Sequence, residues 1–248
     1  MNKELEIWQF AAERLKRDES VMLLVVAESS GSSPGRQGFK MIVARDELCG
    51  SIGGGVMEVA LVELAKGERR KAKGENKSVI IEQVHRKNSP HSSGMICSGK
   101  QTVIFFELNP AHLKTIQNTA NSLETFQPKT LRISNAEIQI GDIQIEDFDF
   151  RFEQSNENEF IYKEKIGYKN NLYIIGGGHC ALALSESMSK MDFHISLFDD
   201  RADLNTLAKN KFVHHKQTIN SYENIGDFIE SGANVYVVVM TLGYKFDE

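Results

Sequence analysis

Strand-like and helix-like segments alternate from residue 171 to residue 240, and this alternation limits the possible folds more than any other feature of the sequence. Short apolar runs rich in β-branched residues predict strands over residues 171–175, 194–198, 212–215 and 234–240. The segments between them predict helices over residues 180–191, 203–209 and 222–229. Because neighbouring parallel strands need a crossover and a helix supplies it, we expect a Rossmann-like parallel sheet.

The chain before this region is less regular. Its apolar patterns predict helices over residues 4–17, 56–66 and 110–126, with Gly67 as the stop of the second. They also predict strands over residues 21–27, 40–44, 79–84 and 102–108, and short antiparallel strands between residues 131 and 152. The fold class is therefore predicted as α/β, with a mixed α/β domain over residues 1–153, a polar boundary at 154–159 and a Rossmann-like domain over 160–248.

The bulk composition narrows the class of partner. The 248 residues carry a net charge of -5, and 41% of them are hydrophobic. A mildly acidic chain is a poor binder of nucleic acid, and no apolar run approaches the ~20 residues of a membrane span. The N-terminus is charged and has no signal-peptide core, so we expect a cytoplasmic protein. The three cysteines have no Cys-x-x-Cys spacing, so neither a disulfide framework nor a metal site is predicted.

Two glycine-rich loops, at residues 31–38 and 50–55, are the first candidate site. The second loop ends in Gly53, Gly54 and Gly55, directly ahead of a predicted helix. A helix start leaves N–H donors unpaired and adds a partial positive charge, so this turn can bind an anion. Both loops can also be tight turns without a ligand. We expect the three glycines to adopt backbone angles that other residues cannot adopt, or to approach other backbone too closely for a side chain. Five side chains could contact an anionic ligand or close their own turns: Ser32, Ser33, Arg36, Lys40 and Ser51.

A dinucleotide fingerprint is the second candidate site. Gly176, Gly178 and Ala181 follow a predicted strand and open a predicted helix, which is the context that the fingerprint requires. Asp199 ends the next strand, where a carboxylate can accept hydrogen bonds from a ribose. We therefore expect Gly176, Gly178 and Asp199 to converge at the carboxyl edge of the parallel sheet. His179 stands at the helix start and can bind a ligand or face solvent. The sequence leaves open a purely structural turn, NAD(P) or another nucleotide.

The ordered set of motifs resembles the XdhC/CoxI family of accessory factors, which mature molybdenum hydroxylases. The first group of matching positions is Gly31, Ser32, Pro34, Gly38, Lys40, Met41, Gly50, Ser51, Gly53, Gly54, Gly55 and Glu58. Two later matches are the turn Gly94-Met95-Ile96-Cys97-Ser98-Gly99 and the opening Ile174-Ile175-Gly176-Gly177-Gly178-His179. The resemblance therefore runs along nearly the whole chain, in the family's order. Residues 239–248 resemble a family strand and the loop after it, beyond which relatives continue the Rossmann domain, so the resemblance implies a second domain that is incomplete at its C-terminal end.

The resemblance implies a protein that binds molybdenum cofactor (molybdopterin), presents it for sulfuration and delivers it to a xanthine-dehydrogenase-type apoenzyme. Its implied partners are that apoenzyme and a cysteine desulfurase, and a homodimer is allowed. Cys97 is then a candidate for contact with sulfur or molybdenum, although a small buried residue in a tight turn is the alternative. Glu58 either caps the helix start or hydrogen-bonds the pterin. Such a factor is a cofactor carrier rather than a catalyst.

Three positions depart from the family pattern. Val56 stands where many relatives have a cysteine after the triple glycine, Gly35 stands where many have arginine, and Ser98 replaces a glycine. A sulfuration mechanism that needs a cysteine at position 56 is therefore not available to this chain. The alternative functions are an NAD(P)- or flavin-dependent oxidoreductase and a nucleotide-binding module without catalysis.

Overall fold

The computed structural model describes residues 3–71, 78–84, 99–125, 127, 129–142, 149–156, 159–167, 170–191, 193–232 and 234–243. The chain forms two compact units, Asn2–Gly167 and Tyr168–Glu248. Helices and strands occur in both units, and the second contains a parallel sheet, so the predicted α/β class is confirmed. Within the described residues, no helix combines the length and the apolar character that crossing a membrane requires.

The first unit contains three α-helices, nine strands and a short 3₁₀ helix among its described residues. In chain order they are α1 (Lys3–Lys16), β1 (Val21–Gly31), β2 (Lys40–Val43), β3 (Leu48–Gly50), α2 (Gly55–Lys71), β4 (Val79–Val84), β5 (Gly99–Leu108), the 3₁₀ helix Pro110–His112, α3 (Leu113–Glu124), β6 (Lys129–Ser134), β7 (Ile138–Asp142), β8 (Phe150–Asn156) and β9 (Glu159–Ile166).

β1 lies in the middle of a five-stranded antiparallel sheet with the order β3-β2-β1-β5-β4. Its first seven residues are all buried, which explains their continuous apolar sequence. Val21, Leu23 and Val25 belong to one core cluster, which includes residues of α1 and α3. Met22 and Leu24 belong to a second cluster, which includes residues of α2. One strand therefore contributes to two cores, because side chains alternate across a sheet.

A second antiparallel sheet, with the order β7-β6-β9-β8, adds its apolar face to the first of these cores. β8 and β9 pair in antiparallel register, from Phe150 opposite Glu164 to Asn156 opposite Glu159. The polar segment 154–159, which the sequence suggests as a boundary, therefore includes the ends of two paired strands of the first unit. The division between the units falls at Gly167 and Tyr168 instead.

One expectation for the first unit is wrong, and one of its strands was not predicted. Gly67 does not end α2, which continues to Lys71. Glycine lowers helix stability without forbidding a helix, and the burial of Leu61, Val62 and Ala65 in the second core offsets that cost. The sequence pattern also missed β3, because three residues are too few to show a period, and β3 is defined by its pairing with β2.

The second unit is a parallel sheet with the strand order β12-β11-β10-β13. Its elements are β10 (Asn170–Ile175), α4 (His179–Met188), β11 (Phe193–Asp199), α5 (Asn205–Lys209), β12 (His215–Thr218), the 3₁₀ helix Tyr222–Phe228 and β13 (Val235–Val239). Core clusters pack on both faces of the sheet. The predicted alternation is confirmed, although α5 is shorter than expected.

The strand predicted at residues 212–215 is wrong in position. Val213 packs beside a core cluster, and the strand proper begins at His215. Pairing with β11 decides this register, because His215 lies opposite Ser196 and Thr218 lies opposite Asp199. The apolar run at Phe212 and Val213 therefore marks the approach to the strand.

Candidate functional site

The two N-terminal glycine loops meet backbone to backbone. A β-carbon placed on Gly35 would lie 2.3 Å from the carbonyl oxygen of Ile52, and one placed on Gly53 would lie 2.5 Å from the backbone nitrogen of Gly35. A β-carbon on Gly99 would lie 2.5 Å from the backbone nitrogen of Ser33. We call these three close approaches, at Gly35, Gly53 and Gly99, the glycine junction. Only glycine allows the chain segments to come this close.

The triple glycine has backbone angles that other residues rarely adopt. The φ angles are +129° at Gly53, +75° at Gly54 and +72° at Gly55, which confirms the expectation of special conformations. Beyond the junction, added β-carbons on Gly54 and Gly55 would meet no heavy atom within 4 Å. Gly53 therefore serves close packing, whereas Gly54 and Gly55 border open space.

Glu58 caps the glycine turn from within the first part of α2. Its Oε2 accepts hydrogen bonds from the backbone N–H groups of Ile52 and Gly54, both at 2.9 Å, and from the Ser51 hydroxyl at 2.6 Å. The Gly53 N–H donates to the Ser51 hydroxyl oxygen at 3.2 Å. Two of the three glycine N–H groups are thus already paired within the turn, and a carboxylate lies at the positive end of the helix. The capping role left open by the sequence is the one that the structure supports.

A chain of hydrogen-bonded polar side chains, of which Ser33 and Gln101 are buried, begins at the first loop. The Ser33 hydroxyl donates to Gln101 Oε1 at 3.0 Å, and Gln101 Nε2 donates to Gln83 Oε1 at 3.1 Å. Ser33 is buried, so its hydroxyl closes this internal chain. Ser32 and Arg36 are exposed on the same loop. Of the polar side chains suggested for the first loop, these two are the ones at the surface.

Lys40 belongs to a buried ion-pair cluster. Its ammonium donates to Glu4 at 2.8 Å, to Glu164 at 2.9 Å and to the carbonyl oxygen of Gly38 at 3.0 Å. Burial alone would lower the pKa of Lys40, but the carboxylates of Glu164 and Glu4 outweigh it and raise that pKa well above the ordinary lysine value. Tyr162 donates to Glu164 at 2.8 Å. Lys40 is therefore a permanent cation that fixes the end of the first loop, and its three donors are used internally.

Cys97, the candidate for sulfur or molybdenum contact, lies outside the described residues. Among the described cysteines, Cys49 is half-buried and Cys180 is exposed. Its place in the apolar opening of a predicted helix favours a core position for Cys180, and this expectation is wrong: the residue lies on the exposed side of the first turn of α4, where Ala181 is the buried residue. Burial, Glu6 and Glu47 raise the pKa of the Cys49 thiol.

In the second unit the predicted convergence of Asp199 with the glycine loop is confirmed. The backbone N–H of Gly177 donates to Asp199 Oδ2 at 2.6 Å, at the carboxyl edge of the parallel sheet. A β-carbon on Gly176, whose φ is +101°, would lie 2.5 Å from the carbonyl oxygen of Met240. The loops after β10 and β13 therefore touch at the point where the strand order reverses, which is where ligands of open α/β sheets bind.

Asp199 is buried, with no exposed surface, and Arg201 holds it. Its Oδ1 accepts from the backbone N–H and from Nε of Arg201, at 2.8 and 2.9 Å, and its Oδ2 accepts from Arg201 Nη2 at 2.8 Å. Burial would raise the pKa of this carboxyl, but the hydrogen bonds from Arg201 and Gly177 lower it. His179 and Gly178 lie at the start of α4, with His179 exposed.

Two residues that the sequence did not single out, Glu164 and Gln101, contact predicted site residues only because the fold brings distant parts of the chain together. Glu164 lies 124 residues from Lys40 in the chain, and Gln101 lies 68 residues from Ser33. No local pattern predicts such pairs. Arg201 is different, because it follows Asp199 by two residues and an arginine beside a fingerprint acid is a visible signal.

The described residues contain no group of three or more His, Cys, Asp or Glu side chains that could hold a metal ion.

Comparison with known proteins bears on both units. The model of the XdhC and CoxI family matches residues 14–78. The crystal structure of a protein described as a xanthine dehydrogenase from Bacillus halodurans is similar, with a TM-score of 0.67 and 15% sequence identity. That similarity covers 100% of this chain and 76% of the other, and at this identity it shows a shared fold. No curated protein matches the chain.

The family match includes β1, β2, β3, α2 and every residue of both glycine loops. It also includes Ser32, Lys40 and Glu58, three of the positions on which the resemblance in the sequence rests. The resemblance to the XdhC and CoxI family is therefore confirmed by the match over residues 14–78.

Proposed function

We propose that this chain is an accessory factor that binds molybdenum cofactor and assists its sulfuration and its insertion into a xanthine-dehydrogenase-type molybdenum hydroxylase. One observation carries the proposal: the family match covers the segment whose glycines bring two loops into backbone contact. The proposed partners are the apoenzyme and a cysteine desulfurase, in the cytoplasm, with the chain as a carrier rather than a catalyst. A homodimer is compatible with this role.

The surface of the glycine junction fits the anionic end of such a cofactor. Arg36 is an exposed cation, Ser32 is an exposed hydroxyl, and Gly54 and Gly55 border open space that side chains would fill. Glu58 already neutralises part of the helix start, so we assign the cofactor phosphate to Arg36 and Ser32 rather than to the Gly54 N–H. When bound, the cofactor supplies the molybdenum and its dithiolene ligand. The protein's part is to bind and orient it.

Other residues of the motif keep the loops in shape. Lys40 holds Gly38 through its carbonyl oxygen, Ser33 is tied to Gln101, and Ser51 and Glu58 pair with the glycine turn. We assign these side chains to positioning, because each is already hydrogen-bonded inside the first unit. Their loss is expected to weaken cofactor binding only by deforming the loops.

We propose that Cys97 contacts the sulfur or the molybdenum of the cofactor. Gly99 abuts the backbone of Ser32 and Ser33, and Cys97 precedes Gly99 by two residues in the chain. Two residues of chain span at most about 7 Å, and this short separation in sequence is the basis for proposing that the thiol reaches a cofactor held at the first loop. Val56 cannot supply a thiol, so we assign sulfur handling to Cys97.

The test is retention of molybdenum cofactor by the full chain, measured as molybdenum and pterin content after co-expression. Arg36→Ala should reduce retention, whereas Arg45→Ala, which removes the same charge from an exposed turn of the same unit, should not. Cys97→Ala should lower the retained sulfido form more than the total pterin. Equal retention in all variants and wild type would contradict the assignment of this site.

A second function rests on a separate observation, the contact of Gly177 with Asp199 at the carboxyl edge of the parallel sheet, beside the β10–β13 position where the strand order reverses. We propose that this loop of the second unit binds a nucleotide, with NAD(P) as the first candidate. The buried Gly176, the open space around Gly178 and the exposed His179 leave room for a pyrophosphate at the start of α4. An assay of hydride transfer from the nucleotide to a flavin or a dye, run beside a binding measurement, tests whether the chain is an oxidoreductase or a nucleotide-binding module without catalysis.

A further inference from the structure

We propose that Asp200, not Asp199, is the carboxylate that accepts the ribose hydroxyls of the bound nucleotide, and that the site therefore prefers a nucleotide with an unsubstituted ribose over its 2′-phosphorylated form. This inference rests on the nucleotide site of the proposed function. It names the residue that determines specificity and the class of nucleotide that the site accepts.

Asp199 has no capacity left for a ribose. Its two oxygens accept four hydrogen bonds, one from Gly177 and three from Arg201, and none of its surface is exposed. A carboxylate offers about four lone-pair positions. A ribose hydroxyl could reach it only by displacing the Gly177 N–H or the Arg201 guanidinium. Asp199 is therefore a positioning residue, which holds the glycine loop and the following arginine together.

Asp200 is the next residue and is presented differently. Its side chain is 38% exposed, compared with 0% for Asp199. The buried Tyr222 fixes it at two points: the phenol donates to Asp200 Oδ1 and accepts from the backbone N–H of Asp200, both at 3.2 Å. Both contacts that the structure gives for this carboxylate, the Tyr222 bond and an approach of Arg201 Nε at 3.7 Å, involve Oδ1. Among the described residues Oδ2 has neither contact, so it is the oxygen that this anchored, 38% exposed side chain can offer to a ligand at the carboxyl end of β11.

The local charge argues against a 2′-phosphate. Asp199, Asp200 and Arg201 together carry a net charge of about -1, since two carboxylates share one guanidinium. Arg201 turns Nε and Nη2 toward Asp199 in a two-pronged pair, so its most directional donors are already used. An arginine that receives a 2′-phosphate needs that fork free. A second negative group beside Asp200 would be repelled, whereas neutral hydroxyls would donate to it.

The experiment measures the affinities of the full chain for ADP-ribose and 2′-phospho-ADP-ribose by isothermal titration calorimetry. Wild type should bind ADP-ribose about tenfold more tightly, the usual effect of one hydrogen bond to a charged group. Asp200→Asn should weaken ADP-ribose binding and bring the two affinities together. Tyr222→Phe should do the same to a smaller extent, because Asp200 loses its anchor. Asp203→Asn, which removes an exposed acid from the same loop, should leave the preference unchanged.

The outcomes separate this inference from the proposed site. Binding of neither ligand by wild type would remove the nucleotide site and the inference with it. Binding with equal affinities, or with the 2′-phosphorylated ligand preferred, would overturn the inference and keep the site. An unchanged preference in Asp200→Asn, or the same change in Asp203→Asn, would also overturn it. If Asp200→Asn fails to fold, the affinity ratio of Tyr222→Phe decides in the same way.

Discussion

The Cα of Gly35 faces the carbonyl oxygen of Ile52 so closely that a β-carbon would lie 2.3 Å from that oxygen. This distance is well inside van der Waals contact, and the obstacle is backbone, which cannot rotate away as a side chain can. The two loops of the glycine junction are therefore held at a spacing that one methyl group would disturb.

Gly35→Ala is expected to lower the free energy of unfolding by about 1–3 kcal/mol, the usual cost of inserting atoms into a packed site. The matched control is Gly141→Ala, because a β-carbon on Gly141 of β7 meets no heavy atom within 4 Å. Urea unfolding of the two variants measures the difference. A Gly35→Ala protein as stable as the control would show that the loops can separate without cost.

Gly67→Ala is expected to stabilise the protein by about 0.5–1 kcal/mol, because alanine costs less backbone entropy in a helix interior than glycine. Gly55→Ala should destabilise it by about 1–2 kcal/mol, because alanine resists the left-handed conformation. Both glycines have open space around the added carbon, and they differ in φ, which is +72° at Gly55. Thermal unfolding compares the two variants. Equal shifts in the unfolding temperature of both would mean that the φ angle of the replaced glycine does not influence stability.

Lys40→Met is expected to destabilise the first unit by about 3–5 kcal/mol, because it leaves Glu164 buried without its cation. Lys129→Met removes a lysine whose partner Asp142 is exposed, and it should cost no more than about 1 kcal/mol. The free energies of unfolding of the two variants and wild type, measured in urea, test the difference between the buried and the exposed ion pair. A similar small loss in both would show that Glu164 becomes protonated or finds another donor.

Acid should weaken the second unit through His214. Burial and the neighbouring His194 lower the pKa of His214 to about 4, and its Nδ1 accepts the Ile195 N–H at 2.9 Å, which only a neutral ring can do. In the unfolded chain a histidine has a pKa of about 6.5. Between these values the unfolded state binds the proton, so the free energy of unfolding falls as the pH drops from about 6.5 to about 4.

His214→Asn keeps an acceptor for the Ile195 N–H and removes the titrating ring. The variant should lose less stability than wild type between pH 7 and pH 5, measured by urea unfolding followed by circular dichroism. An identical loss in both proteins would assign the acid sensitivity to other groups.

The elements with a clear period could be predicted from sequence. α1, β1 and the parallel alternation that begins at β10 each have an apolar pattern that their burial explains. β3 and the start of β12 could not be predicted, because the pairing partner rather than the local sequence sets their position. Likewise Gly67 looks like a stop signal, and only the contacts of α2 with the sheet show that the helix continues.

The sequence predicted which residues form the candidate sites, but it did not predict the hydrogen bonds and ion pairs that those residues make. The sequence placed Asp199 beside the glycine loop, and Gly177 confirms the proximity. It could not show that Arg201 and Gly177 use all the capacity of Asp199, since residue type does not reveal how many donors surround a carboxylate. In the same way Lys40 looks like a ligand for anions until Glu4 and Glu164 are brought to it by the fold.

The position of β1 between β2 and β5, with one core on each face, has a consequence for motion. Its amides from Met22 to Val25 lie in a strand bonded on both sides, and its side chains are shared between two hydrophobic layers. Opening either layer alone leaves the strand paired, so solvent reaches those amides only when the whole unit opens. The amide hydrogens of β1 should therefore exchange with deuterium at the rate of global unfolding, and they provide an internal gauge of the stability of the unit.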